Sequence, residues 1–233
     1  MSTKTYVLGL LALLLFMPAL SARATCRDTV VLVHGNTGSP ADFQNTYNLL
    51  RQQGWSDAQI VAPAWGNAIC AACNDHSGSE ETPVKNAISS AIAGSCSGHI
   101  DVIGHSMGVT LAMREIDKLG VASKVDVFVG IAGAVHGLWS CGMYPFNVAT
   151  ATCGSYGLSV SNPFLQGIAG HRFGAHMYSM KSWSDEINCS VGTCLVYGVH
   201  TSTIPGEDYS FDYPYGHYRL LWLTAADQVN LLQ

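Results

Sequence analysis

The chain has 233 residues, a formal net charge of −5, and 48% hydrophobic against 12% charged residues. That length fits one domain with a well-buried core. No segment clusters Lys or Arg, which argues against a nucleic-acid partner.

The N-terminus carries one positive charge, Lys4, within Met1–Thr5, then an apolar run from Tyr6 to Leu20 broken only by Gly9 and Pro18. Ala22-Arg23-Ala24 has the small-x-small form of a signal-peptidase site, so residues 1–24 are predicted to be a signal peptide cleaved near Ala24. The run is short for a transmembrane anchor, which needs about 20 apolar residues. Arg23-Ala24-Thr25 does not make the pattern that a lipid anchor on Cys26 would require. Loss of Lys4 and Arg23 with the leader takes the charge from −5 to −7 and leaves residues 25–233 as a single domain. All eight cysteines lie in that part, and an even count in an exported chain predicts disulfides. Cys70-Ala-Ala-Cys73 has zinc-like spacing, but no second such pair completes a site.

Strand and helix patterns alternate along residues 25–233, which predicts an α/β fold with a mostly parallel central sheet and helices on both faces. Thr29–Val33 is a continuous β-branched run, as for a strand buried on both sides. Ala41–Gln53 has helical spacing and stops at Gly54. A short strand follows at Gln59–Ala62 and a helix at Glu80–Ala93. Ile100–Ile103 reads as a strand, Met107–Lys118 as a helix closed by Gly120, and Val125–Ile131 as another buried strand. His176–Trp183 reads as a strand, Leu195–His200 as the last one, and Tyr218–Leu232 as the closing helix. No repeat, linker or low-complexity tract interrupts the pattern.

Gly104-His105-Ser106-Met107-Gly108 matches G-x-S-x-G at a strand-to-helix junction. A serine there sits on a sharp turn whose flanking glycines avoid clashes, and the turn pushes the hydroxyl into the cleft. Ser106 is therefore the predicted nucleophile. The helix N-terminus behind it favours a developing oxyanion. Met107, the residue after the nucleophile, supplies one oxyanion-hole N–H. The loop Val33-His34-Gly35-Asn36-Thr37-Gly38 supplies the other, from Asn36, with His34 read as structural. A serine needs a base, and the base needs an orienting acid. His217 follows Tyr215-Gly216 just before the last helix, where it can overhang the carboxyl edge of the sheet. His136, His171, His176 and His200 are placed less well, with His200 the rival. Asp185 leaves a strand at the carboxyl edge, where ligands bind in open α/β sheets. Glu186 and Asp208 are the alternatives, while Asp126 enters its strand at the opposite edge.

Those residues carry a resemblance to the small bacterial class 2 lipases, near-minimal and lidless members of the α/β-hydrolase superfamily. It runs through Val30–Gly35, Asp101–Gly108, Lys124–Ala134, Tyr178–Asp185 and Gly216–Leu221. The resemblance matches Ser106, Asp185 and His217 to the triad, and Asn36 and Met107 to the oxyanion donors. It departs from the family's minimal members in its many cysteines and in an insertion between Gly137 and His171. His34-Gly35-Asn36 also resembles the equivalent loop of some extracellular polyhydroxyalkanoate depolymerases.

The implied function is that of a secreted serine carboxylic ester hydrolase, a lipase or esterase acting on apolar acyl esters. A polyhydroxyalkanoate or other aliphatic polyester depolymerase is the enzymatic alternative, and a non-catalytic binding module on the same scaffold is the alternative of another class. No cofactor or metal is implied. The expected partner is a small-molecule or lipid ester, with transient contact to a lipid interface, and the chain is expected to be a monomer. Within the insertion, Trp139, Met143, Tyr144, Phe146, Tyr156, Leu158 and Phe164 read either as an apolar wall for an acyl chain or as a second small core. In the implied fold the nucleophile strand lies beside the strand that leads to the oxyanion loop. Cys26 and Cys96 then start neighbouring parallel strands, within reach of a bridge. The remaining pairs would be local: Cys70–Cys73, Cys141–Cys153 and Cys189–Cys194.

Overall fold

The computed structural model describes residues 26–233, so the signal peptide read over residues 1–24 lies outside the described residues. The main sheet has six strands, all parallel: β1 (Thr29–Val33), β2 (Ile60–Val61), β3 (Ile100–His105), β4 (Val125–Ile131), β7 (His176–Lys181) and β10 (Tyr209–Asp212), ordered β10-β7-β4-β3-β1-β2. Two small accessory sheets pair β5 (Leu138–Met143) with β6 (Ser159–Val160) and β8 (Leu195–Val196) with β9 (Val199–His200). The helices are α1 (Gln44–Gln52), α2 (Glu81–Gly94), α3 (Met107–Leu119), α4 (Pro163–Ile168), α5 (His217–Leu223) and α6 (Ala225–Asn230).

The strand alternation decides which face each residue serves. Val31, Val33, Val102 and Phe128 pack against Val84, Ile88, Leu111 and Ile116 of α2 and α3. Val30, Leu32, Ile103 and Val129 point the other way, onto Leu50 of α1, Leu220 and Leu221 of α5 and Val229 of α6. Burial on both faces is why the central strands are uninterrupted apolar runs. Register then aligns the strand ends. Val33 lies opposite Gly104, His105 opposite Ile131, and Ile131 opposite Met180. The segments that follow these strands therefore all emerge at one edge, and they carry Asn36, Ser106 and Asp185.

Three expectations need correction. Leu195–His200 is not a sheet strand: Tyr197-Gly198 turns it into the β8–β9 hairpin, both residues having positive φ. The last strand of the sheet is β10, whose sequence Tyr-Ser-Phe-Asp gives little apolar signal because it is an edge strand, half-exposed. The closing helix breaks at Thr224, whose hydroxyl donates to the Leu220 carbonyl at 2.7 Å. The insertion does not form a separate core. Leu138, Cys141, Cys153, Leu158 and Phe164 join the main core over α3, while Phe146 is 91% exposed.

Four disulfides are formed, Cys26–Cys96, Cys70–Cys73, Cys141–Cys153 and Cys189–Cys194, the pairs expected from the sequence. Such a set belongs to proteins that mature in an oxidising, extracytoplasmic environment.

Candidate active site

Ser106 lies between β3 and α3 with φ 54° and ψ −129°, a conformation that costs an L-residue free energy and is held by its surroundings. Its N–H donates to the Ile131 carbonyl at 2.8 Å. The glycines beside it are obligatory. A Cβ on Gly108 would collide with the Val33 and His34 carbonyl oxygens, and one on Gly104 would lie 2.7 Å from Val109 Cα. Gly35 is equally constrained, since a Cβ there would lie 2.9 Å from Ser106 Cβ. The loop after β1 thus passes directly over the serine.

Asn36 follows Gly35 on that loop, and Met107 opens α3 behind Ser106. Among the described residues neither backbone N–H has a protein acceptor. The Asn36 side chain is engaged on both ends: Nδ2 donates to the Ala71 carbonyl at 2.9 Å, and Oδ1 accepts from Asn74 Nδ2 at 2.6 Å. His34 is buried against Trp65, with its Nδ1 2.8 Å from the Gly35 carbonyl oxygen and its Nε2 accepting the Trp65 N–H at 3.2 Å. Burial, opposed by the Gly35 hydrogen bond, keeps its pKa below the ordinary value.

His217 opens α5 after Gly216 and is 2% exposed. Its Nδ1–H donates to Asp185, 2.9 Å from each carboxylate oxygen. Burial works to raise Asp185, but the hydrogen bond and charge of His217 and the N–H groups of Asn188 and Ile187 outweigh it and hold the carboxyl below its ordinary value. The backbone of His217 is held as firmly as its ring. Its N–H donates to Glu186 Oε2 at 2.8 Å, and its carbonyl accepts from His105 Nε2 at 3.2 Å. Gly216 is required there, because a Cβ would sit 2.5 Å from Glu186 Oε2. His105 is pushed down to about 3 by burial and then by His217, so it stays neutral.

The other candidates fall elsewhere. His200 lies by the same loops, but its Nε2 bonds the Ser182 carbonyl and its Nδ1 accepts the Ser202 N–H. His136 bonds the Thr203 carbonyl, and His171 pairs with Asp117. Asp208 stands at the amino edge with His176 and Arg172, and Asp126 pairs with His99 at that edge. Glu186 touches the backbone of His217 rather than its ring. His105, Asn74 and His76 are contacts that no motif in the sequence announces, since a polar side chain that meets its partner only in the folded chain leaves no periodic signal. Among the described residues the one grouping with metal-ligand spacing is Cys189, Cys194 and His200, and its two sulfurs are bonded to each other.

The family described as Lipase (class 2) matches the chain over residues 27–230. No curated protein matches the sequence. Among solved structures, Aspergillus fumigatus lipase B is 20% identical with a TM-score of 0.62, the match covering 93% of this chain and 55% of that one. Bacillus licheniformis lipase BlEst2, in propeptide form, is 10% identical with a TM-score of 0.63, covering 89% and 50%. A pyrethroid hydrolase from Sphingobium faniae is 11% identical with a TM-score of 0.56, covering 88% and 97%. The chain spans about half the length of the two lipases. At these identities the likeness is one of fold, the α/β-hydrolase fold.

Proposed function

This chain belongs to the class 2 lipase family, and on that premise we propose that it is a carboxylic ester hydrolase acting on apolar acyl esters through Ser106, His217 and Asp185. The observation that carries this reading is the contact of the buried His217 ring with both oxygens of a buried, ionised Asp185, in a chain whose Ser106 sits on a strained elbow and whose His105, the residue before it, is bonded to the His217 carbonyl. Ser106 Oγ adds to the ester carbonyl carbon while its proton passes to His217 Nε2. The carbonyl electron pair moves onto oxygen, which the Asn36 and Met107 N–H groups receive. Collapse expels the alcohol oxygen, which takes the proton from His217. Water then attacks the acyl-Ser106 ester, losing its proton to His217; collapse breaks the bond to Ser106 Oγ, which takes that proton back as the acid leaves. Asp185 keeps the proton of neutral His217 on Nδ1, leaving Nε2 free to act as base.

Exposed apolar side chains on the segments that surround the site, among them Trp183, Tyr197, Tyr218 and Trp222, favour apolar acyl esters presented at a lipid interface. The same side chains suit a solid polyester, which keeps a depolymerase as the second reading. Residues 1–24 act as a signal peptide cleaved near Ala24, and the exported chain works as a monomer. The test is hydrolysis of p-nitrophenyl esters from short to long acyl chain, alongside a polyhydroxybutyrate film. Stoichiometric labelling by a p-nitrophenyl phosphonate should fall on Ser106, read by peptide mass. Ser106→Ala should lose turnover by roughly 10⁵–10⁶-fold with its melting temperature kept. Activity within tenfold of wild type in that variant overturns the assignment.

A further inference from the structure

The two features that set this chain apart from a minimal class 2 lipase, its cysteines and its insertion, meet at one place. Segment 67–76 holds Cys70–Cys73 and two fully buried polar side chains, Asn74 and His76. Asn74 Nδ2 donates to Asn36 Oδ1 at 2.6 Å and to the Asn67 carbonyl at 3.0 Å, and its Oδ1 accepts the Asn67 N–H at 2.6 Å. The other end of the Asn36 amide is taken by the Ala71 carbonyl, inside the Cys70–Cys73 ring. His76 reaches the opposite way. Its Nε2 lies 2.7 Å from Thr110 Oγ1, and that hydroxyl is 3.0 Å from the carbonyl oxygen of Met107. The insertion locks the segment from outside: Thr152 Oγ1 donates to the Ala71 and Asn74 carbonyls, and the Tyr156 carbonyl bonds both His76 Nδ1 and its backbone N–H.

One element therefore touches the loop that carries Asn36 and the helix turn that carries Met107. We propose that segment 67–76, closed by Cys70–Cys73, is the template that sets the spacing of the two oxyanion amides, with Asn74 and His76 as positioning residues. The idea rests on the functional reading above. The physical reason is that an oxyanion hole works only when preorganised, its donors fixed before charge develops. Asn36 stands on an irregular loop with no helix or strand to hold it. A side-chain amide clamped at both ends supplies that rigidity, and neutral His76, pushed down to about 4 by burial, adds no charge beside the site.

The test compares Asn36→Ala, Asn74→Ala, their double variant and Cys70→Ser/Cys73→Ser on p-nitrophenyl butyrate. Asn36→Ala keeps its backbone N–H and loses only the clamp, and the residue is half-buried, so folding is not at stake. Each change should lower kcat by about 10–100-fold with KM within about twofold, since a misplaced donor loses transition-state stabilisation alone. Because Asn36→Ala already removes the contact through which Asn74 acts, the double Asn variant should be no slower than Asn36→Ala by itself. An Asn36→Ala kcat within about threefold of wild type overturns the proposal, and so do losses that multiply in the double variant. Inactive wild type, or an active Ser106→Ala, overturns the functional reading instead, which keeps the two failures apart.

Discussion

The two edges of the sheet are stapled and charged in opposite ways. At the carboxyl edge three disulfides span 3, 5 and 12 residues, each inside a loop that borders the site. At the amino edge a single bridge, Cys26–Cys96, spans 70 residues and joins the starts of β1 and β3. In the chain-entropy account the long bridge contributes about 4 kcal/mol and each short one about 2–3 kcal/mol. Each short staple contributes less to the fold than the long bridge, yet it fixes where individual side chains stand. The charges differ as sharply. Around the site His34, His76 and His105 are all held neutral by burial, and Asp185 is held ionised by its hydrogen bonds. The amino edge crowds Asp28, Asp101 and Asp126, and burial followed by the Asp28 charge pushes Asp101 up to about 8. One edge carries the candidate site and tolerates strain; the other closes the fold and bears an electrostatic cost.

The sharpest test of that contrast is Asp185→Asn, which should lower kcat by about 10³–10⁴-fold while leaving the melting temperature nearly unchanged. An amide there presents a donor to His217 Nδ1 and forces the unproductive tautomer. A near-normal Asp185→Asn paired with a dead Asp208→Asn would mean the acid lies at the other edge. Next in size is Cys26→Ser/Cys96→Ser. Thermal unfolding should drop by roughly 8–16 °C, from the loss of about 4 kcal/mol, with kcat preserved. Cys189→Ser/Cys194→Ser should reverse the pattern, costing more in kcat than in unfolding temperature. Both pairs giving the same profile would erase the distinction between fold staples and site staples.

The smallest effect concerns pH. Asp101 is 3% exposed, and its folded pKa is raised from 3.8 to about 8. A raised acid contributes stability that is fully present below its unfolded pKa and is lost as pH rises through the folded value. Asp101→Asn keeps an acceptor for the Val127 N–H and removes the charge. It should stabilise the protein at pH 9 by roughly 2 kcal/mol, after allowing for solvent in the adjoining cleft, and by almost nothing near pH 4. Equal gains at both pH values, measured by chemical denaturation, would show that charge is not the cause.

Legibility in the sequence tracked the range of the interaction. β1, β4 and α3 were readable almost to the residue, because two-sided burial writes apolar runs and Gly120 in the left-handed conformation marks a helix end. Ser106 was readable because a sharp turn needs glycine on both sides. β10 was not, since an edge strand with four half-exposed or exposed positions carries no hydrophobic signature. The β8–β9 hairpin looked like one strand because the Tyr197-Gly198 turn gives little one-dimensional warning.

By itself, the sequence determined the alternation of strands and helices, the glycine-flanked turn at Ser106 and the even set of cysteines, all of which follow from local sterics and periodic burial. Only the tertiary structure decided that Asn74 would grip Asn36, that Glu186 and His105 would hold the N–H and the C=O of His217, and that the insertion would lock the segment beneath the loop that carries Asn36. Those contacts join residues 31 to 112 positions apart. A polar side chain reads the same in a sequence whether it faces water or a buried amide, and the partner that settles the matter comes from another part of the chain.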